Sequence, residues 1–174
     1  MPNVFQSLAE HIGVSPDVLE LQTGYKLIMG QNATGNGAAA ASIVHLGMLP
    51  LALWRVAAVG FTVIVGGAST VAEVVEWGYD HSDIGAVDTN AFGEVAMDTT
   101  ADAEWTAGDM YIKSADQGFD LAAVDAEANA GTPTWGAGGA LLGVWQTAPA
   151  LLSCLKKEVA SSTATVIPFM LIEV

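Results

Sequence analysis

The chain closes on TATVIPFMLIEV, an apolar and β-branched run that continues to its last residue, Val174. Chain ends are usually polar and weakly held. A near-continuous apolar run of this kind predicts a strand buried on both faces. Pro168 has no N–H to give to a ladder, so it predicts an edge or a bulge within that strand. An apolar strand left open at an edge would recruit other chains. The tail must therefore be covered, either by the chain's own sheet or by another copy.

The same signal recurs along the chain. Strands are expected near 42–48, 51–58, 60–66, 70–79, 92–98, 109–114, 140–147, 150–160 and 163–174, with a strand-like YKLIM at Tyr25–Met29. Their separators are turn signals: Gly47 and Pro50, Gly66-Gly67, Gly78 to Asp83, Thr99 to Gly108, and Pro133 to Gly139. Many short strands without βαβ alternation predict an all-β chain, a jelly-roll-like antiparallel β-sandwich. DLAAVDAEANA, Asp120–Ala130, carries helix formers and is read as a short helix in a crossover loop. Upstream, NVFQSLAEHI places Val4, Phe5, Leu8 and Ile12 at helical spacing, with Asn3 as cap and Gly13 as stop. Residues 1–24 are thus expected to be a short N-terminal helical arm, and residues 25–174 the sandwich.

Composition narrows the partners. The chain has 174 residues, is 52% hydrophobic and has a formal net charge of -14, with 19 acids against 5 Lys and Arg. So few cations leave little to neutralise phosphates, which argues against nucleic-acid binding and against anionic lipid. Ser42–Val65 is long enough to span a bilayer, but Pro50, Arg55 and His45 interrupt it and its flanks lack Lys and Arg anchors. Two buried strands joined near Gly47–Pro50 fit it better. Cys154 is alone, so no intrachain disulfide forms. The first residues lack the basic and long apolar regions of a secretory signal, so synthesis in a cytosol is expected.

Catalytic motifs fail on inspection. Ser153–Lys156 has the S-x-x-K spacing, which needs a helix to bring Lys to Ser, whereas this run reads as a strand. Gly30–Gly35 has the frame of a phosphate loop, but Asn36 and Gly37 stand where Lys and Ser/Thr belong. His11, His45 and His81 form neither an H-x-H nor an H-E-x-x-H pair. His45, inside an apolar strand, is expected to be a hydrogen-bonded core or interface residue. The strongest chemical candidate is YDHSDIGAVD, where Asp80, Asp83 and Asp88 offer hard oxygen ligands for a cation. As an EF-hand it fails, with Ile84 at position five and Ala91 at position twelve. A structural calcium in an irregular loop stays open; the competing reading is an acidic turn bonding its own backbone. No other cofactor is expected, and no enzyme activity. Of the five tryptophans, Trp135 in GTPTWGAGG is the expected interface anchor.

The arm NVFQSLAEHIGVSPDVLEL, the stretch LPLALWRVAAVGFTVIVGG and the terminal STATVIPFMLIEV together resemble the small decoration (cement) and coat proteins of tailed bacteriophages and other icosahedral viruses. That resemblance implies a virion structural protein on the outer capsid surface, bound to a major capsid protein and forming a homotrimer. Val4, Phe5, Leu8, Ile12, Trp135, Phe169 and Leu171 are the expected contact residues. The alternatives are a single-jelly-roll capsid subunit and, in a different class, a calcium-dependent ligand- or sugar-binding sandwich.

Overall fold

The computed structural model describes residues 24–34, 42–49, 53–68, 74–82, 87–96, 104–115, 120–124, 134–136, 138–157 and 164–174. The helical arm, with Val4, Phe5, Leu8 and Ile12, lies outside them, as does Asp83. The described chain is all strand and turn: β1 (Tyr25–Met29), β2 (Ala33–Thr34), β3 (Ser42–Leu49), β4 (Arg55–Val65), β5 (Gly67–Ala68), β6 (Val74–Ser82) and β7 (Asp88–Ala96). They are followed by β8 (Glu104–Trp105), β9 (Met110–Ser114), β10 (Asp120–Val124), β11 (Thr134–Trp135), β12 (Ala150–Lys157) and β13 (Thr165–Glu173).

Two antiparallel sheets pack face to face. One runs β1-β13-β4-β9-β10, with β2 also on β13; the other runs β11-β7-β6-β12-β3. Leave aside the two-residue strands and β10, which extends a sheet edge. The remaining strands, taken in chain order, then stand first-eighth-third-sixth in one sheet and fifth-fourth-seventh-second in the other. That is the jelly-roll order. Among these strands only β6 and β7 are successive neighbours in one sheet; every other step crosses to the opposite sheet. Ser42–Val65 accordingly splits into β3 in one sheet and β4 in the other, as its Pro50 break predicts. Among the described residues no helix is long and apolar enough to cross a membrane.

Aromatic contacts within and between the layers fill the interior. The Phe61 ring on β4 stacks on Tyr111 of β9 at 4.8 Å and on Trp77 of the opposite sheet at 5.8 Å. Phe92 meets Trp54 and Tyr79 edge-on at 6.2 and 6.1 Å. Phe61, Trp77 and Phe92 are wholly buried. Stacked and edge-on pairs add to the stabilisation from area burial alone.

Four expectations are corrected. The terminal strand is not at an edge. β13 lies between β1 and β4, with Val166, Phe169, Met170 and Ile172 fully buried and Leu171 1% exposed. Pro168 is tolerated there because its flank falls in the gap between β1, which pairs as far as Phe169, and β2, which pairs with Val166. Its carbonyl accepts from Gly30 N–H at 2.8 Å in that gap, and backbone N and O of one strand residue face the same side. Next, 51–58 and 60–66 are not two strands but one, β4, because the chain stays paired through Val59, opposite Met170 and Lys113, and Gly60, opposite Phe169 and Ile112. Third, 140–147 is not a strand. Gly143 takes φ +77°, and the segment folds as turns that carry Leu141 and Leu142 onto the core. Last, Asp120–Val124 is the edge strand β10, paired with β9, instead of a helix; strand pairing overrides its helix formers.

Gly60 explains how β13 and β9 both approach β4 closely. A Cβ there would collide with the Phe169 ring and the Tyr111 carbonyl oxygen. Gly60→Ala is expected to lower unfolding stability by about 1–3 kcal/mol through overpacking. Urea denaturation checks this, and an unchanged midpoint would contradict the close packing.

Candidate functional site

Three places gather polar or exposed side chains. The first is on the outer face of the second sheet, where β3, β12 and β6 lie side by side. Ser153 pairs in register with His45 and with Gly78. His45 Nδ1 stands 3.1 Å from Asp80 Oδ2, and the Ser153 hydroxyl donates to Asp80 Oδ1 at 3.5 Å. The residue types are those of a catalytic triad, but the connectivity is not. A nucleophilic serine gives its proton to the imidazole, and the carboxylate holds the imidazole's other nitrogen. Here serine and histidine both turn to the carboxylate, so no base activates the hydroxyl. The cluster ties three strands together, and His45 is hydrogen-bonded as its sequence context predicts, though its side chain is 56% exposed and not in the core. Ser153 and Lys156 lie on one strand, β12, and not on the helix that the S-x-x-K spacing needs.

The second place is a cleft of about 210 Å³ lined by Asp88, Asn90, Ala91, Glu94, Gly138, Gly139 and Ala140. Asp88 Oδ1 accepts from Asn90 N–H at 3.2 Å, the short-range turn bond typical of aspartate. Asn90 Nδ2 donates to Glu94 Oε2 at 2.9 Å. The register sets Asp88 opposite Tyr79, so Asp88 shares that residue's face and Asp80, one residue on, takes the other. The expected cation set of Asp80, Asp83 and Asp88 is thus divided by the pleat in its two described members. Among the described residues no three His, Cys, Asp or Glu side chains gather as a metal-binding group.

The third place is the end of the sandwich where β3 leaves for β4, where β12 begins and where β13 stops. Trp54 and Gln146 exchange backbone hydrogen bonds of 3.0 and 2.7 Å, and Trp54 Nε1 donates to Ala148 O at 2.9 Å. This staples residues 138–149 across the end. The bridge sets Arg55 beside Trp145. The Arg55 guanidinium lies 5.2 Å over the Trp145 ring, and its Nε donates to Glu173 Oε2 at 2.5 Å. Val174 follows, its N–H bonded to Gly24 O at 2.6 Å. Around Arg55 stand four exposed apolar residues: Leu53 (56%), Val144 (44%), Trp145 (44%) and Val174 (61%). Exposed apolar residues grouped at one end mark an interaction site more often than scattered single residues do.

The expected contact residues are redistributed accordingly. Phe169 and Leu171 are corrected to core: both are hidden in the chain's own sheet and have no surface to offer. Trp135 lies on β11, opposite Val95 at a sheet edge; its side chain is outside the described part. An exposed tryptophan is instead Trp145, passed over because its segment reads as a strand. Its signal is the neighbouring Gly143, which breaks that strand. Asp109 is buried and accepts from the Tyr111 hydroxyl at 3.4 Å.

Buried groups give the molecule an alkaline limit. Burial, then the Asp109 charge and hydrogen bond, pushes the Tyr111 phenol far above its ordinary 10.0. Burial, then Glu76, does the same to the Cys154 thiol, ordinarily 9.0. Burial and Asp88 raise Tyr79. Folding thus favours the neutral forms, so their contribution is complete below the unfolded values and is lost as pH rises past them. Comparison with family models, with curated proteins and with solved structures returns no significant match to this chain.

Two outcomes are expected. Thermal melting should hold steady from pH 7 to about 9 and fall beyond it, with a smaller alkaline loss in Tyr111→Phe; an identical loss in that variant would remove Tyr111 as a cause. A double-mutant cycle on His45→Ala and Asp80→Asn should return a coupling below about 1 kcal/mol, as for other solvent-reached pairs.

Proposed function

We propose that this chain is a virion structural protein, a decoration protein that binds the outer face of an icosahedral shell and stabilises it by bridging capsomers. The observation that carries the reading is the strand order. A jelly roll is the architecture of many viral capsid domains, shared with lectins and cupins, and this one spends its interior on aromatic packing within and between the layers. The argument from fold is one of analogy. Chemistry on the surface supports it: an exposed apolar end, a Ser-His-Asp cluster wired for structure, and a charge of -14 that suits the outside of a shell better than its genome-facing side.

In this reading the end bearing Leu53, Val144, Trp145 and Val174 faces the major capsid protein, with Trp145 as anchor. Binding to the assembled lattice and not to its dissociated subunits favours the lattice by mass action. Trimers on threefold positions multiply that effect through avidity. The calcium-dependent sugar-binding alternative has one observation in its favour, the cleft with Asp88, Asn90 and Glu94. A rise in melting temperature with calcium that is abolished by Asp88→Ala with Glu94→Ala would favour it.

The deciding experiment mixes purified protein with undecorated shells of its own virus. Co-sedimentation and a higher shell disruption temperature are expected, with a trimeric mass by light scattering. Val144→Glu with Trp145→Glu should weaken binding at least about tenfold, or ~1.4 kcal/mol. No binding by the unaltered protein rejects the proposal.

A further inference from the structure

We draw no further inference here: the strongest candidate, the exposed apolar side chains of Leu53, Val144, Trp145 and Val174 at the sandwich end, belongs to the site already described, and nothing among the described residues shows what covers it.

Discussion

The Phe61 ring is the contact on which the sandwich depends. It stacks on Tyr111 within its own sheet and on Trp77 across the gap. Sheets pack with side chains interleaved from both inner faces, and three flat rings in near-parallel array lock the separation and the alignment together. Gly60, next to Phe61, clears the space into which Phe169 reaches from β13. One large residue and one absent side chain thus let β4 serve as the spine, with β13 on one flank and β9 on the other.

The jelly-roll order has a consequence for where function can sit. All but one of the steps between successive main strands cross from one sheet to the other, and the sheet interiors close on themselves. At one end the 138–149 segment is pinned by Trp54, and Arg55 joins three chain segments through Trp145, Glu173 and their backbones. That rigid platform presents Leu53, Val144 and Trp145 outward. Large amphipathic side chains on a fixed backbone lose little freedom on binding, which favours recognition.

The arrangement of polar groups is informative in the same way. Ser153, His45 and Asp80 come from three strands and meet across a sheet, a convergence no local motif announces. Their geometry nonetheless shows a tie, because the carboxylate takes both neighbours. Glu94 and Asn90 satisfy each other beside Asp88 in the same manner. Bonds of this kind fix strand positions and leave no lone base next to a lone nucleophile.

Much of this was legible in the chain itself. Apolar β-branched runs between Gly and Pro signals specify strands, since alternation and turn chemistry are local properties; the Pro50 break and the failed S-x-x-K spacing follow from them. What the sequence could not decide was which strand lies beside which. Pairing of β1 with β13 joins residues from opposite ends of the chain, and no window of neighbouring residues carries that information. Hence 51–58 and 60–66 pass for two strands, Asp120–Val124 for a helix, and Phe169 and Leu171 for contact residues. Sequence alone determined that the final run had to be covered, because an apolar strand cannot stay in water; only the tertiary structure decided that its own neighbours cover it, moving the exposed apolar surface to Trp145.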